Sequence, residues 1–201
     1  MPLFLVRHGE TEFNVLGRFQ GQNDSPLTDR GVEQARANAA AIARQITDTS
    51  DVHFVSSPLG RTLATSRLLC AAIGIPFENV QTDDRLKEMH YGAWQGMTEL
   101  EIDQEYPGLW AARDANPDTF VIPGGGESYL HLTRRADDWI ADTRPDWESD
   151  QVWIVVSHGG TGSVLRGRYL DMTTAELRLL ARPHACVYEF HNGQIIEHVT
   201  D

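Results

Sequence analysis

The sequence predicts an α/β fold of three layers, α/β/α, with a mostly parallel sheet covered by helices on both faces and a C-terminal hairpin at one edge. Three observations carry this reading. Short apolar runs at residues 3–6, 52–55 and 152–156 have the length and near-continuous hydrophobicity of strands buried on both sides. The stretches between them repeat apolar residues at spacings of three and four, the period of a helix packed on a sheet. Near the end, Asn192-Gly193 separates two strand-like runs, the strongest short signal for a hairpin. At 201 residues and 41% hydrophobic content, one domain over 1–201 is expected.

Taken in order, the first strand, Leu3-Phe4-Leu5-Val6, runs straight into Arg7-His8-Gly9. Residues 12–26 are polar and turn-rich and read as a loop. Thr28 is a plausible N-cap for a helix whose buried face carries Val32, Ala35, Ala39, Ile42 and Ile46. The second strand, Val52-His53-Phe54-Val55, leads to Arg61, just inside a helix with Leu63, Cys70 and Ile73 on its apolar side and Gly74 at its end. A third strand is expected near Val80. Thr98 and Glu101 form a capping box for a short helix that must stop before Pro107. Three prolines and four glycines follow between 107 and 126. Residues 97–127 are therefore read as a loop and helix insertion covering the site.

Helix returns over 127–143, with Leu130, Thr133, Ala136 or Asp137, and Ile140 inward, and Arg144-Pro145-Asp146 closing it. The strand at 152–156 then ends in a second His-Gly, His158-Gly159, before a helix from Thr161 to about Leu170. Thr173 and Glu176 form another capping box. The hairpin pairs residues 185–191 with 194–199.

Charge bounds the function. A net charge of -12 argues against a nucleic-acid partner, because no excess of Lys and Arg exists to neutralise phosphates. The same charge repels a small anion at long range, so any phosphate site must be built from local cations. Only two cysteines occur, Cys70 and Cys186, both in apolar surroundings, which suits buried thiols in a reducing compartment. Residues 1–6 are too short for a signal-peptide core, and no run approaches the roughly 18 apolar residues of a membrane span. A cytoplasmic protein without a membrane partner is expected. No metal or cofactor is expected either, since His184, His191 and His198 lie on a hairpin that does not gather them around one ion.

Either His-Gly alone reads as a histidine at a strand end before a turn glycine. Together with Arg7 and Arg61 they form a constellation. Arg7-His8-Gly9-Glu10-Thr11 followed by Asn14, the later His158-Gly159, and Leu86-x-Glu88-x-x-Tyr91-Gly92-x-Trp94-x-Gly96 resemble the histidine phosphatase superfamily, with its phosphoglycerate-mutase-like fold. The resemblance runs from the first strand to Gly160. It implies His8 as the nucleophile that becomes phosphohistidine, and Glu88 as the acid that protonates the leaving alkoxide and later activates water. Arg7 and Arg61 supply planar forks for phosphate oxygens, and the helix amides beside Arg61 would add to that grip. His158 would be protonated when phosphate is bound and would donate to it. Asn14 and the Gly159 amide would touch the same group, while Gln20 and Gly21 line the substrate mouth. Asp84 is the substitute for Glu88.

The superfamily contains mutases as well as phosphatases. A mutase must hold a doubly phosphorylated intermediate, which calls for extra cations over the pocket. Between Glu88 and Pro123 the only Lys or Arg is Arg113, amid Glu99, Glu101, Asp103, Glu105, Asp114 and Asp118. The segment Pro123-Gly124-Gly125-Gly126-Glu127-Ser128 resembles the phosphatase branch. A phosphomonoesterase acting on a small-molecule phosphate ester is therefore favoured over a phosphoglycerate mutase, and both over a non-catalytic scaffold that binds a phosphorylated ligand. Trp94, Tyr106, Leu109, Trp110 and Phe120 either wall an apolar part of the pocket or pack the covering segment to the core.

Overall fold

Leu3, Phe4, Leu5 and Val6 are all buried because their strand is covered on both sides. The computed structural model describes residues 2–46, 48–49, 51–147 and 151–200. Met1 and Asp201, the ends of the expected domain, lie outside the described residues. In chain order the elements are β1 (Leu3–Arg7), α1 (Glu12–Val15), α2 (Asp29–Ala43), β2 (Val52–Ser56), α3 (Gly60–Ile73), β3 (Gln81–Thr82), α4 (Glu99–Glu105) and α5 (Leu109–Ala115). They continue as α6 (Tyr129–Trp147), β4 (Val152–Ser157), α7 (Gly159–Tyr169), α8 (Thr174–Arg178), β5 (Cys186–His191) and β6 (Gln194–Val199).

The strands form one six-stranded sheet in the order β3-β2-β4-β1-β5-β6. β1 pairs parallel with β4, and β2 parallel with both β4 and β3; β5 runs antiparallel to β1 and β6 antiparallel to β5. This is the expected mixed α/β fold with its edge hairpin. The hairpin turn has Asn192 at φ 49° and Gly193 at φ 74°, both in the left-handed region that Asn-Gly tolerates. Strand alternation divides the core. Leu3, Leu5, Trp153 and Val155 face α6 and α7, while Phe4, Val6, Ile154 and Val156 face α2 and α3.

Several expectations shift. The polar segment after β1 contains α1, capped by Thr11, whose side chain accepts from Asn14 N. The buried side of α3 is mostly polar, with Arg61, Thr62, Thr65 and Ser66 alongside Leu69 and Cys70, and Leu63 and Ile73 are only half-buried. On α6 the inward residues are Tyr129, Leu132, Thr133, Ala136, Trp139 and Ile140, whereas Leu130 is 39% exposed. That helix also continues past 144–146 to Trp147, which is buried against Trp139 and Phe190 and so anchors the last turn. Both capping boxes, Thr98 with Glu101 and Thr173 with Glu176, form. Cys70 and Cys186 are buried and free. Among the described residues no helix is long and apolar enough to cross a membrane.

Candidate active site

The register Arg7↔Ser157 between β1 and β4 sets the two His-Gly motifs side by side at the carboxyl end of the sheet. His8 N donates to Ser157 O at 3.0 Å, and the His8 and His158 ring centroids are 5.3 Å apart. His8 is 2% exposed. Its Nδ1 lies 2.8 Å from the Gly9 carbonyl oxygen. A carbonyl only accepts, so Nδ1 carries the proton and Nε2 the lone pair. Arg61 Nε donates to that Nε2 at 3.3 Å. Burial first, then the charges of Arg7, Arg61 and His184, push the His8 pKa well below 6.5. The imidazole is neutral at pH 7.

Arg61 comes from the first turn of α3, whose N-cap residue, Leu59, has no capping side chain. The helix is capped from elsewhere. Asp24 accepts from Gly60 N at 2.6 Å and Arg61 N at 3.2 Å, and pairs with Arg61 Nη1 at 2.9 Å. The expected role of these helix amides in gripping an anion is thus taken over by Asp24. Arg61 Nη1 also donates to Asn23 O, and Nη2 donates to Gly21 O. Its terminal nitrogens are therefore committed to the 21–24 loop, and Nε is the donor turned to His8.

Arg7, by contrast, has no carboxylate partner among the described residues. Nη1 donates to the Arg182 carbonyl oxygen, and Nε is buried without a hydrogen bond. Burial lowers its pKa to about 10. A desolvated cation with no carboxylate in contact, its charge only partly offset by Glu88 in the same cavity, suits an anion site. Glu88 is held by backbone amides: Gly160 N donates to Oε2 at 2.8 Å, and Met89 N and Thr161 N donate to Oε1 at 2.9 and 3.2 Å. A Cβ at residue 160 would displace this carboxylate from the amides that hold it.

Arg7, His8, Asn14, Gln20, Gly21, Arg61, Glu88 and Gly159 all line one cavity of about 240 Å³. Eight of the nine residues singled out in the sequence are thereby gathered. Asn14 Oδ1 is occupied by Thr11, which leaves its amide nitrogen to donate. Gln20 is buried and accepts from Ser25. His158 is the exception. It stands behind His8, 1% exposed, with Nε2 2.8 Å from Ser57 Oγ and Nδ1 without a partner. Burial, Arg61 and His8 hold its pKa well below 6.5, so with no anion present it is neutral.

The aromatic residues pack rather than line. Trp94 is fully buried against Trp110 and Phe120, and Trp110 also meets Phe19. Residues 97–127 contribute nothing to the first cavity, but Arg113, Asp114 and Pro117 help wall a neighbouring one. Sequence reasoning missed four contributors. Asp24 was signalled only by the absence of a cap at Leu59. Ser57 and Arg182 gave no pattern. His184 looked like a hairpin histidine, yet its Nδ1 is 2.7 Å from His8 O and its ring 5.5 Å from that of His8. His198 instead pairs with Glu189, and His53 stacks on Trp153.

A buried neutral histidine thus stands in a cavity of arginines at the ends of two parallel strands of an α/β sheet. Residues 3–195 match the family model of the histidine phosphatase superfamily, branch 1, and the chain belongs to that superfamily. A glucosyl-3-phosphoglycerate phosphatase of Mycolicibacterium vanbaalenii is 38% identical over 177 residues, covering 85% of this chain and 74% of the relative. The metal-independent phosphoserine phosphatase of Arabidopsis thaliana is 36% identical over 173 residues, covering 86% and 69%. Among solved structures, a mycobacterial glucosyl-3-phosphoglycerate phosphatase complexed with VO3 superposes with a TM-score of 0.77 at 32% identity, over 98% of this chain and 96% of that one. These relatives are phosphatases.

Proposed function

We propose that this protein is a phosphomonoesterase that hydrolyses a small organic phosphate ester through a phosphohistidine on His8, without a metal or cofactor. The observation that carries this reading is the neutral, tautomer-fixed imidazole in the arginine-lined cavity, whose Nε2 accepts from Arg61 Nε and is released for attack when Arg61 turns to a bound phosphate. In the first step Nε2 attacks phosphorus, and the ester P–O bond breaks as the P–N bond forms. Glu88 gives a proton to the departing alkoxide. In the second step the Glu88 carboxylate takes a proton from water, which attacks the phosphoryl group and releases phosphate and neutral His8. Arg7, Arg61 Nε, the Asn14 amide and the Gly159 N–H serve the equatorial oxygens. His158 backs the nucleophile, its ring centroid 5.3 Å from that of His8.

Residues 97–127 act in this reading as the cover of the organic half of the substrate, through Arg113, Asp114 and Pro117. Hydrolysis is favoured over mutase chemistry because the segment between Glu88 and Pro123 carries one Lys or Arg, Arg113, which lies 3.5 Å from Asp114. The relatives named above act on glucosyl-3-phosphoglycerate and phosphoserine, both phosphate esters with an organic body. Buried free thiols suit a cytoplasmic setting.

The test is phosphate release from a panel of monoesters in the presence of chelator, with isomer formation from 3-phosphoglycerate followed in parallel. Release should fall by roughly 10³-fold or more in His8→Ala with the circular dichroism spectrum unchanged. Isomer formation outpacing release would make the protein a mutase instead.

A further inference from the structure

The phosphate cavity does not end at α7. Tyr91, Gly160 and Arg182 line both it and a second cavity of about 350 Å³, whose walls also carry Arg113, Arg178 and Tyr129. Three guanidinium groups thus surround one space in a protein of net charge -12. Two are compensated: Arg178 pairs with Asp118 at 3.0 Å and Arg113 with Asp114 at 3.5 Å. Arg182 pairs with no carboxylate among the described residues, and its guanidinium makes one long hydrogen bond, 3.4 Å, to the Arg178 carbonyl.

Arg182 is also presented on a fixed backbone. Arg166, itself buried over the Tyr188 ring, donates to the Ala181 carbonyl at 2.5 Å, and Arg7 donates to the Arg182 carbonyl. Gly159 leaves room for the Arg182 and Arg7 side chains, since a Cβ there would stand 3.3 Å from both. Tyr129, 5% exposed, also walls this space, and Ser163, which donates to the Gly159 and Gly160 carbonyls, keeps an oxygen free to accept from its hydroxyl.

We propose that the second cavity is the subsite for a carboxylate on the organic body of the ester, with Arg182 as the residue that selects it. This rests on the phosphomonoesterase reading given above. One uncompensated guanidinium matches one negative charge. A second phosphate would bring nearly two into a protein that is already acidic, so a carboxylate fits better.

The experiment compares 3-phosphoglycerate with glycerol 3-phosphate, which differ by a carboxylate against a hydroxymethyl group, and uses para-nitrophenyl phosphate as a generic ester. Wild type should prefer 3-phosphoglycerate in kcat/KM. In Arg182→Met the ratio of the two specificity constants should fall at least tenfold, through KM rather than kcat. Arg182→Lys should recover part of it. No wild-type preference, or equal losses on both esters, would overturn the carboxylate subsite while His8-dependent hydrolysis of the generic ester left the phosphatase reading intact. Hydrolysis of none of the three by wild type would overturn both.

Discussion

His8, His158 and His184 are three imidazoles within one small volume, and each is kept from protonation chiefly by burial. For a nucleophile this is useful, because the lone pair stays available at neutral pH. For stability it has a cost that depends on pH. In the unfolded chain each histidine titrates near pH 6.5, whereas in the folded protein His184 titrates at about 4 and the other two well below 6.5. Above pH 6.5 both states are neutral and nothing is lost. As pH falls through 6.5 the unfolded state takes up protons that the folded state refuses, so stability declines with acid. His184 alone should cost on the order of 2 kcal/mol at pH 5. Hydrogen bonds hold the carboxyls of Asp83, Glu101 and Glu176 below the usual carboxylate range, outside this window. The urea midpoint should therefore drop between pH 7.5 and 5, and a midpoint that stays constant over that range would contradict the three neutral histidines.

At the level of elements, the start of α3 joins the nucleophile to the loop after β1. Asp24 caps that helix and compensates Arg61, whose side chain is 1% exposed, while its own carboxylate is 39% exposed. Asp24→Ala removes the cap and leaves a buried guanidinium unpaired. The expected loss is about 2 kcal/mol of stability, together with weaker catalysis as Arg61 is no longer held where it would serve the phosphate oxygens. Denaturant unfolding beside steady-state kinetics checks this, and unchanged stability would mean that Asp24 does not hold Arg61. This arrangement was only partly legible in the sequence. Arg61 stood out because a cation at a helix N-terminus opposes the dipole. Its counterion lay 37 residues away in a polar loop and had no local signature. Where a contact is local, as at Thr98-Glu101, Thr173-Glu176 or Asn192-Gly193, the residues alone named it correctly.

For the whole molecule, the three buried strands and the hairpin were legible because period and punctuation are local properties of a chain. The sheet order set the rest. Only the parallel pairing of β1 with β4 converts two distant His-Gly motifs into neighbours, and that pairing followed from the resemblance rather than from either motif. The helix faces were read less well. α3 buries polar residues because its inner side meets the site rather than a purely apolar layer, so an apolar count pointed to Leu63 and Ile73. Arg182 was illegible for a related reason. It reaches the site from the segment between α8 and β5, and nothing in its neighbours marks it as different from a surface arginine.

The most direct single measurement is to trap the phosphoenzyme. Glu88→Gln should still accept a phosphoryl group from an activated ester such as para-nitrophenyl phosphate but hydrolyse it slowly, because no carboxylate remains to activate water. Alkaline quenching followed by peptide mass spectrometry should find an acid-labile phosphoryl group on His8. Phosphoryl on another residue, or full turnover persisting in His8→Ala, would contradict catalysis through this histidine.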